Sequence, residues 1–164
     1  MIPALIEAHL RERHPVYQHH VHAAAETARG LAAAEHAIGE RVAKSVVLKS
    51  NGKLAIAVVA ATERLDVDVL ERASASHVEL VPEREFSERF RPCDVGAEPP
   101  LAMFGVPIFV DDKLMRQPTV VMPGGTHEDA IVLDTSEWAR CEGVRAIANL
   151  GRRASLPASW SRLS

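Results

Sequence analysis

The chain has 164 residues, enough for one domain with a sizeable core, and its 47% hydrophobic and 25% charged fractions are ordinary for a globular protein. A formal net charge of −3 argues against a protein that grips nucleic-acid backbones non-specifically, though recognition of a small, defined part of a nucleic acid stays open. Cys93 and Cys141 offer neither a disulfide framework nor metal-type spacing, and the charged N-terminus and short apolar runs imply no leader and no membrane, hence a cytoplasmic location.

"PALIEAHLRER" spaces Leu5, Ile6 and Leu10 along one side of a short helix that ends near Pro15. "HAAAETARGLAAAEHAIG" predicts a second, alanine-rich helix with Gly39 placed to end it. Two apolar runs then flank Asn51-Gly52, the dipeptide that suits a type I′ turn because both residues need positive φ. That hairpin places Ser50 opposite Lys53 and Lys44 opposite Val59. Lys44 then shares a face with Val46, Leu48, Ala55, Ala57 and Val59, while Val47, Leu54, Ile56 and Val58 form the other face. The alanines leave room either for a pocket with a lysine at its rim or for a closely packed helix.

Downstream, "ERLDVDVLERASA" reads as a helix with Asp66 as N-cap and Val69 and Leu70 facing inward. "HVELVP" is a short strand and "EREFSERF" a short helix. "RPCDVGAEPPLAMFGVP" has no periodicity and carries Gly96, Pro99, Pro100 and Gly105, a loop whose backbone directions are set in advance. "PIFVDD" and "PTVVMP" read as strands, and "GGTHEDAIVLD" as a glycine turn feeding another. "TSEWARCEGVRAIANL" reads as a closing helix. Residues 1–154 are expected to form one domain and 155–164 a loose tail, with Trp160 able to dock. Helices interspersed with short-turn strands favour an α+β fold with a mixed, barrel-like sheet flanked by helices, not a doubly wound parallel sheet.

Candidate chemistry is sparse. His19 and His22, with distant His127, lack the carboxylate or cysteine spacing of a zinc site. Cys93 sits in the shaped loop, but nothing ties it to a histidine base. Gly124 and Gly125 could admit a ligand close to the backbone, yet no P-loop lysine follows.

Taken in order, Lys44 in "AKSVVLK", the "DVGAEPP" loop, the "VPIFVDD" strand and the "PGGTHEDAIVL" turn resemble the YbaK family, which includes the editing domain inserted in bacterial prolyl-tRNA synthetases. The resemblance covers roughly residues 17 to 150. It implies a trans-acting aminoacyl-tRNA deacylase that hydrolyses the ester between a wrong, small amino acid and the tRNA 3′ end, with tRNA-Pro among the candidates. It also implies a mixed β-barrel-like fold and no metal or bound cofactor. Lys44 would contact the 3′-terminal nucleotide, and Gly96 would position water through its backbone, assisted by the ribose hydroxyl. Ser45, His22, Tyr17, Ala57, Pro99, Gly124, Gly125 and His127 would bind substrate, with Ala57 in an alanine-lined selectivity pocket. The partners implied are the tRNA acceptor end and, for a chain this acidic, an aminoacyl-tRNA synthetase or an elongation factor. Three departures blur the substrate: Ser45 where relatives often carry threonine or asparagine, Pro123 before the glycines, and His127, present only in some subgroups. The other reading is a non-catalytic module of the same fold that holds tRNA ends, nucleotides or a partner; a metal- or cysteine-dependent hydrolase comes third.

Overall fold

Asn51 and Gly52 both take positive φ, 49° and 80°, and the hairpin they close has the register the sequence predicts, with Ser50 opposite Lys53 and Lys44 opposite Val59. In the computed structural model, which describes residues 1–153, that hairpin is the centre of the largest sheet. In chain order the first elements are α1 (Ala4–Arg13), β1 (Gln18–Val21), α2 (Ala28–Ala34), β2 (Ala43–Ser50), β3 (Lys53–Ala60) and β4 (Glu63–Leu65). Next come α3 (Val67–Ser74), β5 (Val78–Leu80), α4 (Glu83–Phe86), β6 (Ile108–Asp111) and α5 (Asp112–Met115). The last are β7 (Thr119–Pro123), β8 (Asp129–Asp134), α6 (Thr135–Glu142), β9 (Arg145–Ile147) and β10 (Gly151–Arg153).

The large sheet has the order β5-β2-β3-β6-β9 and is mixed, because β6 runs parallel to β3 and β9 parallel to β6. A second, antiparallel sheet has the order β1-β8-β7, and β4 pairs with β10. A parallel bridge between Val42 and Val121 joins the two larger sheets edge to edge. The class is therefore α+β with mixed sheets flanked by helices, and the described strands form three sheets without closing a barrel.

Both faces of the hairpin are filled. Val47, Ile56 and Val58 enter the main core with Ile6, Leu10, Met122, Ile131 and Trp138. Leu48, Ala55, Ala57 and Val59 enter a second core under Leu70, Val78, Phe109, Ile147 and Leu150. The alanine face is thus covered by α3 and by β6, whose Phe109 lies beside Ala57 in the parallel register.

Local signals account for most helix ends. Asp66 caps α3 by accepting from Val69, Leu70 is fully buried, and Asp134 caps α6 by accepting from Glu137. Helix α1 has no side-chain cap and is held by burial of Ile6 and Leu10, each worth about 1.5–3 kcal/mol; Leu5, expected beside them, is exposed, and Ile2 is buried instead.

Three expectations need correction. The alanine-rich helix starts at Ala28, not His22, because His22 and Ala25 donate to the carbonyls of Glu128 and His127 and so stay extended beyond β1. Thr27 then caps it, accepting from Gly30. It stops at Glu35 in a Schellman turn with His36 at φ 52°, while Gly39 opens the next 3₁₀ turn. The closing helix breaks at Gly143, φ 64°, and the chain continues as β9. Arg152 in β10 binds Asp66. The expected tail of residues 155–164, with Trp160, lies outside the described residues. Among the described residues no helix is long and apolar enough to cross a membrane.

Candidate active site

The hairpin mouth, the loop after β1, the start of α2, the glycine loop and the β7–β8 turn meet around one cleft of about 270 Å³. Ala43, Lys44 and Ser45 form its floor at the start of β2; His22, Ala25, Glu26, Thr27, Ala28 and Leu31 form one wall. Gly96, Glu98, Pro123, Thr126, His127 and Asp129 form the other. Sequence signals far apart in the chain are thereby gathered: Lys44, Ser45, His22, Gly96 and His127 all line the cleft.

Lys44 is half-buried, donates to the carbonyl oxygen of Glu63 at 3.3 Å, and makes no ion pair among the described residues. Burial, then the positive charges of Arg29 and Arg64, hold its pKa below the usual lysine value. This cation has lost water without gaining a carboxylate, so an anionic ligand would be favoured there.

Three more lining residues present buried polar atoms with no partner: Ser45 Oγ, His22 Nε2 and His127 Nδ1. His22 Nδ1 lies 2.6 Å from the carbonyl of Ala23, so it is the nitrogen that donates and Nε2 is left as a bare acceptor. A buried polar atom without a partner costs about 1–3 kcal/mol, and folded proteins rarely tolerate several side by side. Such atoms converging on a cleft mark a surface shaped for a polar ligand.

The glycine loop is fixed from three sides. Gly96 has φ 88°, a left-handed conformation that glycine adopts without steric cost. Its amide donates to both oxygens of Glu98, at 3.1 and 3.0 Å. Burial pushes the Glu98 carboxyl above its usual range. Asp94 donates to Gly125, Gly125 donates to Ala97, and Trp138 Nε1 donates to Pro100. The loop and the β7–β8 turn are thus stitched into one rigid unit.

Asp129 anchors that turn. Its buried carboxylate accepts from the Met1 amine at 2.8 Å, from His19 Nε2 and from Thr126. Burial pushes its pKa up, but those donors outweigh burial and hold it at about 2. His19 is thereby committed to Asp129.

Five residues expected at the substrate stand outside the lining. Ala57 is fully buried in the second core and does not reach the cleft, where Ala25, Ala28 and Ala43 are the alanines in the lining. Tyr17 packs against the main core, and Pro99 is buried behind the loop. Gly124 donates to Asp129, and Gly125, φ 92°, leaves space taken by α1: a Cβ there would lie 2.7 Å from Ile6 and 2.9 Å from Pro3. Glu26, Thr27, Glu98, Thr126 and Asp129 are the polar lining residues missed, although the last three lie within the glycine loop and the β7–β8 turn. The spacing Thr126-x-x-Asp129, typical of a side-chain-closed turn, was the available signal. Cys93 is half-buried and its thiol is pushed up to about 12, mainly by burial, so it stays protonated and unreactive.

Residues 22–141 match the family model described as the aminoacyl-tRNA editing domain, a span that takes in every residue of the cleft. The chain belongs to the aminoacyl-tRNA editing domain family. Among solved structures, a candidate trans-editing enzyme for prolyl tRNA synthetase aligns with a TM-score of 0.78 and 21% identity over 87% of this chain and 92% of that one. A hypothetical protein, APE2540, aligns with a TM-score of 0.80 and 19% identity over 90% and 99%. The same fold covers 31% of a longer candidate signal transduction protein from Marinobacter aquaeolei VT8, at TM-score 0.71 and 13% identity over 92% of this chain. No curated protein sequence matches the chain. Identities this low establish a shared fold; the editing-domain match carries the family.

Proposed function

We propose that this editing domain hydrolyses mischarged aminoacyl-tRNA in trans, removing a small amino acid from the 3′ end. The observation that carries the reading is the convergence of the desolvated, unpaired Lys44 with three unpartnered polar atoms on one small cleft of a family member. An aminoacyl ester is already activated, so its hydrolysis needs a positioned water and a stabilised oxyanion more than a strong nucleophile. Water oxygen bonds to the ester carbon, the bond from that carbon to the ribose oxygen breaks, and the water proton ends on the departing ribose hydroxyl. Lys44 holds the terminal nucleotide or the developing oxyanion. Gly96 spends its amide on Glu98, which leaves its carbonyl as the backbone group that can hold water. His22 Nε2 is a second acceptor for the same purpose.

The cleft volume of about 270 Å³ lies near the lower end of ligand pockets, about 300–1,000 Å³, so it suits the aminoacyl group and terminal ribose and leaves the acceptor stem outside. Stem recognition then falls to the surface or to a partner such as a synthetase or elongation factor, in a cytoplasmic setting. The fold shared with the candidate prolyl-system enzyme is the reason to place tRNA-Pro in the test panel.

The test is deacylation of tRNAs mischarged with alanine, cysteine, serine, threonine and non-protein amino acids, by wild type and Lys44→Ala in parallel. The expected result is turnover of a small aminoacyl ester that drops at least a hundredfold in Lys44→Ala with the fold retained. Binding of tRNA without turnover of any ester would replace this reading with the non-catalytic module.

A further inference from the structure

A second group of chemistry-bearing side chains lies where α1 ends against α6, sharing no residue with the cleft. His14, the residue that ends α1, is buried, and its Nε2 lies 2.9 Å from a Glu142 oxygen. Glu142 also takes His9 Nε2 at 2.7 Å and the Ala102 amide at 2.8 Å, so it is a fully engaged carboxylate that draws the His14 proton to Nε2. His14 Nδ1 is therefore a lone pair, and it is buried with no partner. Glu137 and Cys141 stand four residues apart on α6 and so project from the same face. A ring nitrogen of His14, a carboxylate oxygen of Glu137 and Cys141 Sγ lie within 4.8 Å of one another.

We propose that His14, Glu137 and Cys141 bind a divalent transition metal of the zinc type, with water as the fourth ligand. Imidazole, thiolate and carboxylate together suit a borderline ion that accepts four-coordinate geometry. Ligands at about 2.0–2.3 Å from a tetrahedral ion stand about 3.3–3.8 Å apart, so the pairs here need to close by about 1.5 Å at most. Glu137 and Cys141 are only half-buried, which leaves their side chains room for that rotation. Glu142 supplies the outer-shell carboxylate that fixes the imidazole orientation and raises its basicity. The ion would pin α1 to α6, and α1 is the helix whose Ile6 and Pro3 region packs under Gly125. It takes no part in ester hydrolysis.

The experiment is anaerobic titration of the purified full chain with Co²⁺, followed by displacement with Zn²⁺. One equivalent of Co²⁺ should bind with a thiolate-to-metal charge-transfer band and the intense visible bands of a four-coordinate ion, and proton release should accompany binding. Cys141→Ser should abolish the charge-transfer band, Glu142→Gln should weaken binding about 10–100-fold, and Cys93→Ser should change nothing. Glu137→Ala, at a half-buried position, gives a folded variant that should also bind weakly. The proposal is overturned by absence of a thiolate band, by a band that survives Cys141→Ser or disappears in Cys93→Ser, or by binding that neither Glu137→Ala nor Glu142→Gln weakens.

Discussion

Gly96 and Gly52 make a controlled pair. Both have left-handed φ, 88° and 80°, and neither would suffer a severe clash on gaining a Cβ: nothing lies within 4 Å of one, and His127 Cε1 lies 3.7 Å from the other. Alanine at either position should cost about 1–2 kcal/mol of stability through the φ penalty alone. Only Gly96 faces the cleft. Gly96→Ala should therefore slow deacylation severalfold or more while Gly52→Ala leaves it near wild type, with equal losses in Tm. Equal activities in the two variants would remove the backbone of Gly96 from the mechanism. A similar pairing tests selectivity. Ala57→Leu overpacks a closed core against Leu70 and Phe109 and should destabilise by about 1–3 kcal/mol without changing which ester is cleaved. Ala28→Leu narrows the cleft and should reject the larger aminoacyl groups first, read as kcat/KM across the ester panel. At this scale the sequence singled out five residues that line the cleft, Lys44, Ser45, His22, Gly96 and His127, but not where the other side chains ended. Lys44 and Gly96 were legible as cleft residues because a lysine at a strand mouth and a glycine in a Gly- and Pro-rich loop stand out locally, and because both fall in the motifs that carry the family resemblance. The fate of Ala57 was not, because it depended on α3 and β6 covering that face.

At the scale of elements, the hairpin was readable to the residue because Asn51-Gly52 fixes its register and the register fixes both faces. Strand β1 was not, since "QHHV" is exposed throughout and has no alternation to betray it. Its place is set by β8, more than a hundred residues away, and by His19 on Asp129. The same long-range pairing holds residues 22–25 extended and shortens α2, overriding the helix preference of three consecutive alanines. That shortening is what exposes His22 and Ala25 to the cleft. Thr27 then becomes the residue on which α2 depends at its start. Thr27→Ala should lower stability by about 1 kcal/mol and raise KM more than it lowers kcat, because the wall moves while Lys44 and Gly96 do not. A loss confined to kcat would mean that Thr27 acts on the chemistry itself.

For the whole molecule, the net charge of −3 and the choice of a polyanionic substrate stand in tension. Part of the resolution lies in distribution: Arg29 on α2 and Arg64 on β4 both act on Lys44, so three cations are grouped at that lysine, which alone of the three lines the cleft, with Glu26, Glu98 and Asp129 also in the lining. Burial first, and then their mutual repulsion, depress the lysine pKa, and an incoming phosphate relieves the repulsion. Two consequences follow from the same grouping. Because the depressed group is a cation, its charge is present below its folded pKa and lost as pH rises through it; binding of a 3′-terminal nucleotide should therefore fade at a pH below the 10.5 of an ordinary lysine, and that fall should vanish in Lys44→Ala. With at most three phosphates neutralised, the slope of log K against log salt should be no steeper than about −2, at about −0.7 per single-strand contact. Arg29→Ala and Arg64→Ala should each flatten the slope by about 0.7 and shift the pH at which binding fades upward, toward the ordinary lysine value. Binding isotherms at several salt concentrations and pH values measure both. A slope of −5 or steeper would demand a second basic surface and would move acceptor-stem recognition away from this cleft.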